Sequence, residues 1–185
     1  MFFSRVLISF FAIGAVAAAV TPAAPLKKRE DVSDVLAIVG QLRGSTDTIL
    51  PQIDTLVNSG EANEENISPL LQQLTAALDL SAVSLEALDG KVDPSSGGSE
   101  QEVAEEVSVV YTNIATSLDN MKTKKPKLHP LVPKFGLDLA LLKVLLGLKL
   151  VLAGVTKLLA VLLKVVAHLL HGLGFLLTVT LLGLL

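Results

Sequence analysis

Cysteine and tryptophan are both absent from the 185-residue chain, and aromatic residues make up only 4% of it. Without cysteine there is no disulfide framework, so any fold is held by packing alone. Scarce aromatics beside 51% hydrophobic residues point to helices of Leu, Val and Ala, not to an aromatic-rich sheet. Catalytic signatures are missing too: there is no G-x-S-x-G elbow, no phosphate loop and no H-E-x-x-H. Glu64-Glu65 and Glu105-Glu106 are adjacent carboxylates that point to different faces of a helix, so neither makes an acid/base pair. His168 and His171 are three apart, but without cysteine and with Asp138 as the one nearby acid they read as polar-face residues, not metal ligands. The expectation is a protein without catalytic residues, bound metal or cofactor.

Each half lacks charge of one sign. Residues 30–121 hold two basic side chains, Arg43 and Lys91, against 17 acidic ones, a balance of −15. Residues 122–185 hold nine lysines and one acid, Asp138, a balance of +8. The formal charge of −3 for the whole chain hides this dipole. The net −7 of residues 30–185 argues against nucleic acid as the main partner, while the basic half could still meet an anionic surface.

Residues 1–29 read as a leader. Arg5 precedes the 15-residue apolar run 6–20, small residues such as Ala15-Val16-Ala17 offer a cleavage site, and a Pro/Ala stretch ends in Lys28-Arg29. The apolar run is short for a membrane span. This is a signal peptide and short propeptide, and the mature chain is expected to start near Glu30, outside the cell.

The acidic segment, 30–121, shows three helical stretches. Val35, Ile38, Val39 and Leu42, then Ile49, Ile53, Leu56 and Val57, predict a helix over 32–57 that Pro51 kinks or divides. Ser68 with Pro69 predicts the start of a second, closed by Asp89-Gly90. Ser99 and Glu102 form a capping box for a third, after a Pro/Ser/Gly linker at 93–99. Isolated helices of this length are marginal in water, so together they predict an antiparallel bundle. Asn66-Ile67-Ser68 fits an N-glycosylation site, though Pro69 directly after it lowers its use.

Residues 122–134 read as a Lys/Pro hinge. Lys124-Lys125 is a second dibasic pair, and Pro126 after it should block cleavage. From 135 to 185 there are 22 Leu and seven Val among 51 residues. On one continuous helix Lys143, Lys149, Lys157, Lys164, His168 and His171 would share an arc of about 120°. Leaving so much Leu and Val in water would cost about 1.5–3 kcal/mol per side chain, tens of kcal/mol in all. The apolar surface must be covered by the acidic bundle, by its own second half, by other copies or by an apolar interface. A helix over 137–171 would run about 52 Å, so Gly147, Gly154, Gly172 and Gly174 are the expected places for a break into a hairpin or short helices. The fold class is therefore all-α: an acidic antiparallel bundle followed by Leu-rich amphipathic helices. The run 165–185 carries no formal charge and is long enough to span a membrane, but histidines and glycines interrupt it.

The leader ending Lys28-Arg29, the run Val35-Leu36-Ala37-Ile38-Val39-Gly40-Gln41-Leu42 and the tail Val151-Leu152-Ala153-Gly154-Val155-Thr156-Lys157 resemble small secreted proteins of mushroom-forming fungi. Those have a hydrophilic front half, a hydrophobic back half and no hydrophobin cysteines. The resemblance implies a structural role in the hyphal wall or extracellular matrix, aiding attachment and aerial growth. Residues 30–125, with Lys124-Lys125-Pro126 after the third helix, also resemble fungal hydrophobic-surface-binding proteins of the galactomannoprotein type. That likeness implies helical proteins that adsorb to apolar surfaces or hold lipids. Expected partners are apolar surfaces or lipids and further copies of the chain, with wall polysaccharide or wall proteins as additional candidates. A lipid carrier and a membrane-anchored surface protein are the alternative readings.

Overall fold

Side-chain caps set where the first three long helices begin. In the computed structural model, which describes residues 30–184, α1 (Val32–Ser59), α2 (Glu64–Glu86) and α3 (Glu100–Lys124) each start on a reciprocal capping box. The pairs are Asp31 with Asp34, Asn63 with Asn66, and Ser99 with Glu102. Each pair satisfies two backbone N–H groups that the first turn leaves without carbonyl partners. Acids in the first turns (Asp34, Glu64, Glu65, Glu100 and Glu102) also favour the positive end of the helix dipole.

The cap on α3 is the one expected from Ser99 and Glu102. The start of α2 is five residues earlier than expected, because the Asn63–Asn66 box outcompetes Ser68, and Pro69 becomes an exposed position inside the helix. Nor does Pro51 divide α1, which runs through it for 28 residues. Pro51 faces solvent, where water can take the carbonyl that its missing N–H leaves open, while its neighbours Ile49, Leu50 and Ile53 are buried. Gly60 ends α1 at φ 83°, a left-handed cap that suits glycine.

Cross-links between helices give the topology. Arg43 meets Glu106 and Asp54 meets Asn120, so α1 and α3 run in the same direction. The short turn after Gly60 sends α2 back against them. A 3-10 turn (Pro126–Leu128) and α4 (Leu131–Lys134) lead into α5 (Leu137–Val151). Thr75 donates to the Phe135 carbonyl, Lys143 pairs with Asp79, and Gly147 lies against Leu85, so α5 runs parallel to α2. The Leu-rich half thus supplies the fourth helix of an up-down-up-down bundle.

Beyond α5 the chain turns at Leu152–Gly154 and doubles back through α6 (Val155–Leu162), a 3-10 turn (Leu163–Val166) and α7 (Ala167–Gly172). Both ends of this strap are tied to α3. The Glu100 carboxylate accepts from the Gly154 N–H at 3.2 Å, and Lys122 Nζ donates to the Gly172 carbonyl at 2.6 Å. The strap therefore lies along α3, antiparallel to α5, in the hairpin sense expected of the glycine breaks. Of the four glycines named for a break, Gly154 and the pair Gly172 and Gly174 flank turns, whereas Gly147 lies inside α5. Last, α8 (Leu176–Leu182) docks on α5, where Asp138 accepts from the N–H groups of Leu177 and Thr178 at 2.9 and 3.0 Å. A two-residue parallel pair, β1 (Glu30–Asp31) with β2 (Val92–Asp93), ties the first described residues to the loop before α3.

One hydrophobic core joins the acidic and the Leu-rich halves. Val35, Leu42, Leu74, Leu78, Val107 and Ile114 belong to the same cluster as Leu141, Leu145, Leu152, Leu159, Leu163 and Phe175. Much of the tail's apolar surface is therefore covered by the acidic helices, the first of the outcomes its composition demanded.

Candidate surface-binding face

The hairpin decides which of the tail's polar side chains share a face. Lys143 is half-buried and pairs with Asp79 at 2.8 Å, which fastens α5 to α2. Lys149 is exposed near the end of α5. Lys157, Lys164, His168 and His171 are exposed along the outer side of the strap, and none has an ion-pair partner among the described residues. The six residues do not form one stripe on one helix, because the turn at Leu152–Gly154 reverses the chain between Lys149 and Lys157. Only the last four are brought together.

Exposed apolar side chains accompany both groups. On α5, Leu139, Leu146 and Leu150 reach solvent at spacings of seven and four. On the strap, Val161 and Val165 are 70% and 80% exposed, the highest values among the large hydrophobic side chains described. These valines stand between Lys157, Lys164 and His168, so the outer face of the strap mixes cation and hydrocarbon. The sequence held a signal for this: a step of about 100° per residue places Val161 only about 40° from Lys157. Leu176 and Leu177 at the start of α8 are also about half exposed.

The remaining candidates fall elsewhere. Lys28 and Arg29 lie outside the described residues; the residue after them, Glu30, opens β1. Asn66 is half-buried in the first turn of α2, where its carboxamide oxygen accepts from the Asn63 N–H at 2.9 Å and its Nδ2 donates to the Glu61 carbonyl at 3.0 Å. Three of the five lysines of segment 122–134 reach back onto the first two helices and the turn between them: Lys124 to Asn58, Lys125 to the Gly60 carbonyl, and Lys134 to Glu64 at 3.0 Å.

Among the described residues, two titratable groups are clearly shifted. Burial holds the Tyr111 phenol well above its ordinary value, and the Asp138 charge adds to the effect; its hydroxyl donates to the Leu141 carbonyl at 2.7 Å. The Glu106 carboxylate, 2.6 Å away, raises the Arg43 guanidinium by hydrogen bonding and charge. Both groups link α1 or α3 to a neighbour. A hollow of about 380 Å³ between α1 and α3 is lined by Asp47, Asp54, Asn113 and Thr116, with the buried Ser117 hydroxyl lacking a hydrogen-bond partner. No three His, Asp or Glu side chains among the described residues come together as a metal site.

No family model matches the chain. Over 88 residues it is 40% identical to fruiting body differentiation protein 16 of Flammulina velutipes, an alignment that covers 46% of this chain and 69% of that protein. With that identity over more than two thirds of the relative, the chain belongs to the family of fruiting body differentiation protein 16.

Proposed function

We propose that the chain is a secreted, surface-active structural protein of the fungal wall or extracellular matrix that serves fruiting-body development. It is not an enzyme; it acts by adsorbing to apolar surfaces or associating with further copies through its Leu-rich half, and so supports hyphal attachment and aerial growth. The developmental part rests on the name of its relative. The physical part rests on one observation. Among the described residues, Leu139, Leu146, Leu150, Val161, Val165, Leu176 and Leu177 stay exposed in the half that carries a single acid, against Leu80, Val83 and Val109 on the acidic helices. Exposed apolar residues gathered in one half mark association sites more often than scattered ones do.

The test is adsorption of the purified mature protein to uncharged polystyrene and to an air–water interface. A Leu139→Ser/Leu150→Ser/Val161→Ser/Val165→Ser variant changes only solvent-facing positions. It should keep its helical circular dichroism, bind less and lower surface tension less. Equal adsorption by the variant would refute the reading.

A membrane-anchored surface protein is the second reading. The stretch Val155–Gly172 is long and apolar enough to cross a membrane by length and composition. It is broken by a 3-10 turn and tied at both ends to α3, which favours a strap that lies on the fold. A requirement for detergent to release the protein from cells would favour the anchor.

A further inference from the structure

We propose that the outer face of the α6–α7 strap docks flat on a lipid surface that carries anionic headgroups. This deepens the surface-active reading above and rests on it, adding the chemistry of the surface and the face that meets it.

Three observations converge on the strap. It is apolar enough to belong in a membrane, yet only 28% of it is buried in the fold. Its two most exposed apolar side chains, Val161 and Val165, sit among Lys157, Lys164 and His168 on the same outer side. No acid occurs after Asp138, so nothing within the tail opposes the cations.

A mixed face of this kind matches the layering of a lipid interface. Valines can enter the boundary between headgroups and acyl chains while lysine stems extend outward and leave their ammonium groups at phosphate level. The acidic half of a second copy offers charge complementarity and exposed Leu80 and Val83 as well, so it is the competing occupant that the test must separate. An uncharged apolar surface would take the valines and leave Lys157 and Lys164 without counter-charge. An anionic lipid surface satisfies both components at once along the whole strap. The anchoring of the strap to α3 at Gly154 and Gly172 holds this face outward, so docking needs no unfolding.

The experiment is co-sedimentation of the purified mature protein, residues 30–185, with phosphatidylcholine vesicles, with and without phosphatidylglycerol. Phosphatidylglycerol should strengthen binding on the order of tenfold or more, and salt should reverse the gain. Lys157→Gln/Lys164→Gln should remove the preference for anionic vesicles, and Val161→Ser/Val165→Ser should weaken binding to them roughly tenfold. The control Leu80→Ser/Val83→Ser, at exposed positions of α2, should leave anionic-vesicle binding unchanged. Circular dichroism confirms that each variant folds. Equal binding to neutral and anionic vesicles overturns the proposal, as does unchanged binding by the strap variants. So does a result in which those variants abolish oligomers in analytical ultracentrifugation and leave lipid binding intact, since the face would then belong to a second copy. Polystyrene adsorption, measured in parallel, separates the two readings: its absence sinks the surface-active function, whereas its persistence without anionic-vesicle binding sinks only this inference.

Discussion

Gly147 sits where α5 meets α2, and a Cβ built on it would lie 2.9 Å from Leu85 Cβ and 3.4 Å from the Ala82 carbonyl oxygen. Neither neighbour can swing aside, because one is a Cβ whose place is set by its helix backbone and the other is backbone itself. Gly147→Ala should therefore cost about 1–3 kcal/mol through overpacking. Gly40, inside α1, would place its Cβ in open space. Gly40→Ala should instead stabilise by about 0.5–1 kcal/mol, by the ordinary helix preference. Urea unfolding of the two variants checks both signs. Tyr111 is the only tyrosine, and its folded pKa is raised above the ordinary value of 10.0 by burial and then by Asp138. A group raised in this way contributes stability fully below its unfolded pKa and loses that contribution as pH climbs through the folded one. Phenolate absorbance should therefore stay silent past the normal tyrosine range and appear together with loss of helicity. A phenolate signal at ordinary pH with helicity intact would mean that Tyr111 is not enclosed.

At the scale of the element, α8 shows how a seven-residue helix is held without a cap of its own. Its N-terminal N–H groups, at Leu177 and Thr178, are taken by Asp138 from α5. Asp138→Ala should cost about 0.5–2 kcal/mol, as loss of an N-cap does. The effect should be local: amide exchange quickens at Leu177 and Thr178 while α1 to α3 keep their protection. Uniform acceleration across the chain would mean that α8 is inseparable from the core. In α2 the Asn66 carboxamide already serves the helix start, and a glycan on Nδ2 would disturb its bond to Glu61. Intact-mass measurement should find Asn66 unmodified. Element boundaries were legible where cap residues were unambiguous, as at Ser99 and Glu102. They were misread where two caps competed, because the choice of Asn63 over Ser68 depends on which turn the core holds in place.

For the whole molecule, the central fact is that the bundle is completed from the Leu-rich half. A chain ending at Lys134 would lose α5, leaving Ala82 and Leu85 of α2 without the neighbour that buries them. Such a fragment should unfold without a sharp transition and associate on size-exclusion chromatography, whereas the full chain unfolds cooperatively. A monomeric, cooperatively folded fragment would show that the acidic helices suffice. Composition could show that 22 Leu and seven Val needed cover, and periodicity could show the helices and their acidic or cationic faces. Neither could show which surface would provide the cover, since burial by one's own chain and burial by another satisfy the same hydrophobic requirement.

Local information in the chain determined the all-α class, the charge separation, the capping box of α3 and the turns beside Gly154 and Gly172. Each depends on residues within a few positions of one another, where backbone hydrogen bonding and side-chain period act directly. Tertiary structure alone decided that α5 joins the bundle, that Lys143 is spent on Asp79, and that Val161 and Val165 stay in solvent beside Lys157 and Lys164. Those outcomes turn on the reversal at Leu152–Gly154, which carries the strap back along α3. A pattern read along one continuous helix loses its angular register once the chain changes direction.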